Sequence, residues 1–364
     1  MNTILDNEPV NLAVLNGDLI TCEDVATANV SKYIDQIVRP LRDRNLPWAS
    51  TYGNHDMSRT CSTRAMLERE QTVGGKLSFT KNMVDGEYNE IGTSNYYVPV
   101  YGSGGGGNPN LAMLLWFFDS KGGGKFGETD LDGNDIPVGD HVDQKVRRLL
   151  SSRLRPTDQF LQVVNWFNAE KVVIAQKHPD RVIPSLVFVH IPVHATWTFQ
   201  DTKLDPNTSP GINEDKIGHQ AMTTDPDGNR YYNKLDTPFM QSLAATKGLI
   251  AVVSGHDHGN DWCMKWGDLA GNEPPTGNGI NLCFGRHTGY GGYSDWTRGA
   301  RQIVVHEDTL NGKRADETWI RLENGKISGH VMLNETFGMD KYPVVEKTTS
   351  PPLTSVNDLA GDGD

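Results

Sequence analysis

The sequence has 364 residues, of which 37% are hydrophobic and 22% are charged, as in an ordinary globular protein. Lys and Arg number 34 against 46 Asp and Glu, and the formal charge of −12 argues against sequence-independent binding to nucleic acid or acidic membranes. The longest apolar run, residues 111–118, is far shorter than the roughly 18 residues of a membrane span, so we expect no membrane insertion.

Strand-like and helix-like segments alternate along most of the chain. Short apolar runs predict strands at 12–15, 48–52, 111–118, 186–189 and 249–253. Helical periodicity predicts helices between them, at 30–44, 63–71, 141–153, 159–176 and 238–246. This alternation predicts an α/β fold. Later strands, predicted at 279–284, 301–305, 318–322 and 326–333, have no helices between them and indicate an antiparallel sheet.

Several connecting segments carry weaker signals. The glycine runs 102–107 and 122–124 lack the Gly-Lys-Ser/Thr ending of a P-loop, so we interpret them as flexible surface loops. Residues 201–233 form a long polar connecting segment, or excursion from the regular elements, of the kind that often lies at the rim of a site. The acidic, Pro-rich end predicts a disordered tail, placed at 341–364. Four scattered cysteines exclude a thiolate metal site; we favour a Cys263–Cys283 disulfide, which would imply secretion.

Polar residues follow four successive predicted strands at the carboxyl end of each. These residues are Asp18, the pair Asn54 and His55, His190, and the pair His256 and His258. In an open α/β sheet this edge is where sites are built. Because carboxylate, amide oxygen and imidazole suit Zn, Mn or Fe, the pattern predicts a metal site.

Taken in order, the Gly-Asp at 17–18, the Gly-Asn-His-Asp at 53–56, His190 and the Gly-His-x-His at 255–258 resemble the motifs of the calcineurin-like metallophosphoesterases. Further segments resemble the branch of that superfamily related to purple acid phosphatases, namely 116–120, 162–167, 190–192 and 285–293. The resemblance extends to about residue 333. It implies two packed mixed β-sheets flanked by helices, in a phosphoesterase domain that we place at 1–340.

The resemblance also implies roles for individual residues. Asp18 would bridge two metal ions, drawn from Fe, Zn or Mn. Asn54, His190 and His256 would hold one of these ions, and His258 would help to hold the other. His55 would contact the phosphate and protonate the leaving oxygen as the catalytic acid. Either Asp56 or Glu23 orients His55, and the sequence leaves both open.

One motif of the family is missing from this sequence. No Asp-x-His precedes Asp18, although in the family such a pair ligates the same ion as His258. We therefore expect close to one metal ion per chain. We favour an N-terminally incomplete chain over a degenerate relative. The N-terminal residues predict no signal peptide, but an incomplete chain would conceal one, so the compartment stays open.

Other residues complete the predicted cleft and its chemistry. Arg286, His287 and Tyr290 are predicted to bind substrate, whereas His194 and His219 are expected to be exposed. Surface positions are predicted for His141, His178, His306 and His330. The predicted function is hydrolysis of phosphomonoesters, either phosphorylated small molecules or phosphoproteins, but not nucleic acid. A phosphodiesterase remains an alternative, as does a non-catalytic phospho-ligand binding or scaffold protein.

Overall fold

The computed structural model describes residues 1–103, 110–142, 162–225, 227–269, 275–310 and 316–350, and the backbone of 146–147 and 159–160. Its helices are α1 (Asn2–Asn7), α2 (Val30–Asp43), α3 (Thr63–Gly74), α4 (Tyr88–Ile91), α5 (Gln162–Lys177), α6 (His194–Thr202) and α7 (Thr237–Ala244). None of these helices combines the length and apolar character that a bilayer crossing needs.

The strands fall into one large sheet and several small ones. Those of the first half are β1 (Ala13–Asn16), β2 (Trp48–Thr51), β3 (Tyr96–Gly102), β4 (Asn110–Phe118), β5 (Gly124–Thr129), β6 (Asp135–Pro137), β7 (Val146–Arg147) and β8 (Gln159–Phe160). Those of the second half are β9 (Ser185–Val189), β10 (Met222–Thr224), β11 (Arg230–Tyr232), β12 (Leu249–Ser254), β13 (Cys263–Trp266), β14 (Ile280–Phe284), β15 (Gly299–Val304), β16 (Asp316–Leu322) and β17 (Ile327–Leu333).

The large sheet has six strands in the order β13-β14-β12-β9-β4-β3. The four central strands are parallel and almost wholly apolar, as expected of strands covered on both faces. Helices α5 and α7 pack on one face through residues such as Phe167 and Phe239. The other face packs against β1 and against the antiparallel sheet β15-β16-β17, through Val14, Val331 and Leu333.

Strands β1 and β2 pair in parallel, and the helices α2 and α3 cover them. The side chain of Asn16, the last residue of β1, donates hydrogen bonds to the carbonyls of Val253 and Val189, at 3.1 and 3.5 Å. Asn16 therefore ties the end of β1 to the ends of β12 and β9. As a result, the carboxyl ends of strands from two sheets meet at one edge.

The α/β prediction is confirmed, and the five strands predicted in the first two thirds of the chain are present within a residue or two. The helix predicted at 141–153 is wrong where it can be checked, because 146–147 form the short strand β7; residues 143–145 and 148–158 lie outside the described residues. Strand β14 does not join the antiparallel sheet but pairs with β12 and β13.

The C-terminal segment differs from expectation, whereas the favoured disulfide is confirmed. Residues 341–350 are not a free tail: the amide of Tyr342 donates to Asn207 and the carbonyl of Thr348 accepts from Thr297. Residues 351–364 lie outside the described residues. The favoured Cys263–Cys283 disulfide is present, joining paired strands β13 and β14, and Cys22–Cys61 forms a second one.

Candidate metal centre

The predicted metal ligands lie together at the edge where the strand ends meet. Asp18 follows β1, Asn54 begins the turn after β2, His190 follows β9 and His256 follows β12. Asp18, His190 and His256 each offer a ligand atom within 4.8 Å of the others, and they are the one such group of three among the residues that the structure describes. Nε2 of His190 lies 2.9 Å from Oδ2 of Asp18, and its Nδ1 lies 2.7 Å from the carbonyl of Asn16.

The charges of these side chains are strongly coupled. Burial alone would raise the pKa of Asp18, but His190 and its hydrogen bond lower it below the ordinary value. Burial alone would lower the pKa of His190, whereas Asp18 raises it to about 9. Burial and the nearby His190 lower the pKa of His256 to about 3. At neutral pH the site therefore combines an ionised Asp18 with a neutral His256, the protonation states that a cation needs, whereas His190 must lose a proton when a cation binds.

Two atoms of these side chains have no hydrogen-bond partner, and a metal ion would satisfy them. Oδ1 of Asn54 and Nδ1 of His256 are buried without a hydrogen-bond partner in the protein, which is costly unless another group satisfies them. Asp18 and His256 both have left-handed backbone conformations, with φ of 53° and 70°. Such strain in residues other than glycine concentrates at functional sites.

Glycines make room for the cluster rather than serving as flexible hinges. A Cβ on Gly53 would lie 2.2 Å from Oδ1 of Asp18, and one on Gly122 would lie 2.6 Å from Cβ of Asn54. The glycine run 122–124 is therefore packed against the site, and its interpretation as a flexible surface loop is wrong. Most of the other glycine run, 102–107, lies outside the described residues.

His55 lies beside the cluster and is half-exposed. Its Nδ1 is 2.9 Å from a carboxylate oxygen of Glu23, and its backbone amide donates to Oδ1 of Asp18 at 2.9 Å. Asp56 instead accepts from the backbone amides of Gly53 and Ile20, at 2.8 and 3.0 Å. Burial and the charge of Asp18 raise the pKa of Asp56 to about 7. Of the two candidates for orienting His55, the structure therefore places Glu23 in contact with it.

His258 lies in a stack of rings. Its ring centroid is 3.8 Å from that of His287 and 4.2 Å from that of Tyr293. Nδ1 of His258 and Nδ1 of His287 are both buried without a hydrogen-bond partner. Burial lowers the pKa of both imidazoles, to about 3 for His287.

Two of the three predicted substrate-binding residues are engaged elsewhere. Nη1 of Arg286 donates to the buried carboxylate of Asp261 at 2.7 Å, and its other nitrogens donate to the carbonyl of Thr297. The hydroxyl of Tyr290 donates to Glu323. These donors already have partners in the protein, and the substrate-binding roles of Arg286 and Tyr290 stay predictions. The third residue, His287, stacks on the ring of His258.

Three histidines predicted at the surface are buried, at 2% exposure for His194, 5% for His219 and 3% for His141. A sequence signal existed for His194, because it begins a helix directly after the buried strand β9 and Ile191-Pro192-Val193. Gly218, before His219, also lies against the ring of His256, so the long excursion 201–233 reaches the site. His306 and His330 are exposed, as predicted, and His178 is partly exposed.

Comparisons with known proteins agree with the motifs. The family model of calcineurin-like phosphoesterases matches residues 1–260. Probable inactive purple acid phosphatase 29 of Arabidopsis thaliana is 26% identical over 345 residues, covering 90% of this chain and 74% of that protein. Probable inactive purple acid phosphatase 14 of the same plant is 25% identical and covers 88% of the chain and 71% of that protein. Phosphatase DCR2 of Saccharomyces cerevisiae is 26% identical over 88% of the chain, but only 46% of that protein. The chain belongs to the calcineurin-like phosphoesterase family, and its relatives include purple acid phosphatases.

Proposed function

We propose that this protein is a metal-dependent phosphoesterase that hydrolyses phosphomonoesters. The observation that carries the proposal is the convergence of Asp18, His190 and His256 on one point, with the amide oxygen of Asn54 unpaired beside them. These four side chains would hold one ion, and Asp18 would share a second with His258. We infer Fe, Zn or Mn, because mixed oxygen and imidazole ligands suit these metals. The finer fold assignment, a two-sheet sandwich flanked by helices, belongs to the same proposal.

A bound cation would supply Lewis acidity, drawing the phosphate into a protein of net charge −12 and strengthening water as a nucleophile. The protein's own residues orient the ester. The unpaired oxygen of Asn54 and the carboxylate of Asp18 would help to hold the cation. His55, half-exposed at the rim, is free to reach the ester oxygen that leaves.

His55 is the proposed general acid. Glu23 contacts Nδ1 of the ring, which leaves Nε2 of the protonated imidazole as the nitrogen that would give a proton. The pair is exposed, with 49% of the His55 side chain and 42% of the Glu23 side chain accessible. Exposed ion pairs contribute about 0–1 kcal/mol to stability, so the contact orients the ring more than it holds the fold.

A second candidate function follows from two relatives that are named as probable inactive purple acid phosphatases. A chain that binds a phosphorylated ligand without hydrolysing it would keep the same metal cluster and serve as a binding or scaffold protein. Within the enzymes, a phosphodiesterase would also use the same residues. The proposed substrates are phosphorylated small molecules or phosphoproteins, since no basic, aromatic stripe suits nucleic acid.

Steady-state assays of the purified protein test the proposal. We expect turnover of p-nitrophenyl phosphate with added Mn²⁺, Zn²⁺ or Fe²⁺ and its loss after chelation. His55→Ala should lower kcat by about a hundredfold, as expected for a general acid, without weakening metal binding measured by calorimetry. The matched control is His330→Ala, because His330 is an exposed histidine paired with Glu317 far along the chain.

The outcomes separate the candidates. Metal binding without turnover of either p-nitrophenyl phosphate or bis-p-nitrophenyl phosphate would reject both enzyme readings and favour the binding protein. Faster turnover of the diester than of the monoester would replace the monoesterase by the diesterase. Failure to bind any metal would reject the proposed metal centre itself.

A further inference from the structure

Two short turns carry the proposed general acid and the carboxylate beside it. His55 belongs to the turn after β2, and Glu23 belongs to a single 3₁₀ turn, Cys22–Asp24, in the segment after β1. Nδ1 of His55 and Oε1 of Glu23 are 2.9 Å apart, although both side chains are almost half exposed. Because exposed ion pairs hold themselves together only weakly, the backbone on either side has to supply this geometry.

Hydrogen bonds attach the start of the segment after β1 to the turn after β2. The carboxylate of Asp18 accepts from the amide of His55 at 2.9 Å, and the amide of Ile20 donates to the carboxylate of Asp56 at 3.0 Å. These two contacts fix the start of the segment, but they end before the turn that carries Glu23. That turn needs an anchor of its own.

The Cys22–Cys61 disulfide is the covalent anchor of this turn. Cys22 directly precedes Glu23, and Cys61 lies in the loop between His55 and helix α3. Both cysteines are 0% exposed, and their Cα atoms are 5.6 Å apart. The carbonyl of Cys22 also accepts from the hydroxyl of Thr60 at 2.8 Å. The disulfide therefore ties the turn that bears the carboxylate to the loop that follows the general acid.

The contact with Glu23 determines which nitrogen of His55 carries a proton. An ionised carboxylate only accepts hydrogen bonds, so at 2.9 Å the Nδ1 of His55 donates to Glu23. In the neutral ring the proton then stays on Nδ1, and in the protonated ring the second proton is on Nε2. A displaced Glu23 would leave the ring free to turn. Proton transfer to the leaving oxygen would then fall while every metal ligand stayed in place.

We propose that the Cys22–Cys61 disulfide is a positioning element for catalysis, which holds Glu23 against His55 so that His55 delivers its proton to the leaving oxygen. This inference rests on the proposed function, and it gives a role to the disulfide that the sequence did not predict. The Cys263–Cys283 disulfide offers the contrast, because it joins two strands that already pair with each other.

The paired variant Cys22→Ala/Cys61→Ala tests the inference, with Cys263→Ala/Cys283→Ala as the matched control. For phenyl phosphate, whose leaving oxygen needs a proton, we expect kcat to fall by about tenfold in the first variant, a fraction of the roughly hundredfold contribution of a general acid. For p-nitrophenyl phosphate, which has a better leaving group, the fall should be less than about threefold. The control variant should change neither rate.

Glu23→Gln separates positioning from a general loss of structure. If the disulfide acts through Glu23, combining Glu23→Gln with the paired variant should lower kcat for phenyl phosphate no further than Glu23→Gln does alone. Two losses that multiply would overturn the inference. Equal losses for the two esters would also overturn it, because a structural defect does not depend on the leaving group.

Calorimetric titration with Mn²⁺ is the folding control, since the cluster of Asp18, His190 and His256 should keep its affinity in the paired variant. If the paired variant does not fold, Cys22→Ala/Cys61→Val takes its place, because valine fills most of the lost volume. Loss of Mn²⁺ binding in both would show that the disulfide serves folding and would overturn the inference. Alkylation of Cys22 in the denatured, unreduced protein would overturn it too, because the disulfide would then be absent.

NMR of the Zn²⁺-loaded protein gives a readout that needs no turnover. The ¹⁵N signals of His55, identified by their loss in His55→Ala, should show the proton of the neutral ring on Nδ1 in the wild type. This population should fall in Glu23→Gln and in the paired variant, but not in the Cys263→Ala/Cys283→Ala control. An unchanged population in the paired variant would overturn the inference and leave the proposed function intact. A fall in this population, in a protein whose wild type turns over no ester, would reject the proposed function and leave the anchoring of Glu23 standing.

Discussion

His190 and His194 are four residues apart in the chain, but they belong to two buried histidine pairs with opposite surroundings. His190 faces His256 with ring centroids 5.3 Å apart, and its Nε2 lies 2.9 Å from the carboxylate of Asp18. His194 faces His219 at 4.4 Å and stacks on Tyr232 at 3.6 Å. The first pair surrounds a carboxylate, whereas the second is packed among aromatic rings.

A carboxylate next to the second pair, that of Asp236, already accepts hydrogen bonds. Asp236 accepts a hydrogen bond from the hydroxyl of Tyr232 at 2.6 Å and one from the backbone amide of His194 at 2.9 Å. Nδ1 of His219 lies 2.7 Å from the carbonyl of Gln220. Burial of a histidine therefore does not by itself indicate a ligand. What distinguishes the first pair is a carboxylate within reach and a nitrogen or oxygen that the protein leaves unpaired.

Removing one ring from each pair gives the largest expected difference. His190→Ala should lower the affinity for Mn²⁺ at the Asp18, His190 and His256 cluster by about a thousandfold. A direct ligand contributes more than the ten- to hundredfold typical of residues that only support the ligands. His194→Ala should leave that affinity within about twofold. Calorimetric titration of both variants checks the comparison. Equal losses in the two variants would mean that the second pair supports the metal centre after all.

For stability the order should be reversed, with the larger loss at His194 than at His190. His194→Ala removes a ring that stacks on Tyr232 and packs against Trp197, so we expect the free energy of unfolding to fall by about 3 kcal/mol, as for other large buried rings. His194→Phe should recover most of that loss. Urea unfolding in the presence of a chelator measures both variants. If the alanine variant loses less than about 1 kcal/mol, the pair is not a packing element.

Gly53, before Asn54, gives a third contrast. A change there removes space beside the metal ligands and leaves every ligand in place. Gly53→Ala would place Cβ 2.2 Å from Asp18 and 2.6 Å from the ring of His190, so the cluster must shift. We expect the Mn²⁺ affinity of the cluster to fall by about a hundredfold, comparable to the loss of a supporting residue. Gly267→Ala is the matched control, since a Cβ there meets nothing within 4 Å. Unchanged affinity in Gly53→Ala would show that the cluster relaxes without cost.

The sequence was informative where a strand ends in a polar residue. Asp18, His190 and His256 converge as predicted, because parallel strands carry their next residues to a common edge. It failed for His194 and His219, which pack against each other and against Tyr232 of another element. The sequence spacing does not reveal these contacts between elements. The contact between Glu23 and His55 likewise joins two loops, and a single sequence does not reveal it.

The smallest expected effect is a difference in the pH dependence of stability between the wild type and His194→Phe, whose ring is of similar size. Burial, with smaller effects of His219 and Lys234, lowers the pKa of His194 to about 3, against about 6.5 in an unfolded chain. Between these values the unfolded state binds a proton that the folded state excludes, so this histidine makes the folded state less stable as pH falls. Phenylalanine at this position has no such proton.

The stability of His194→Phe relative to the wild type should therefore rise by about 2 kcal/mol between pH 6.5 and pH 4.5. Burial raises the pKa of the neighbouring Asp236 to about 6, an effect of opposite sign, but Asp236 is present in both proteins and cancels in the comparison. Urea unfolding midpoints of both proteins across this range, with a chelator present, measure the difference. A difference that stays constant with pH would mean that His194 accepts a proton in the folded protein as readily as in the unfolded chain. The two histidine pairs would then differ in their neighbours but not in the effect of burial on the pKa of His194.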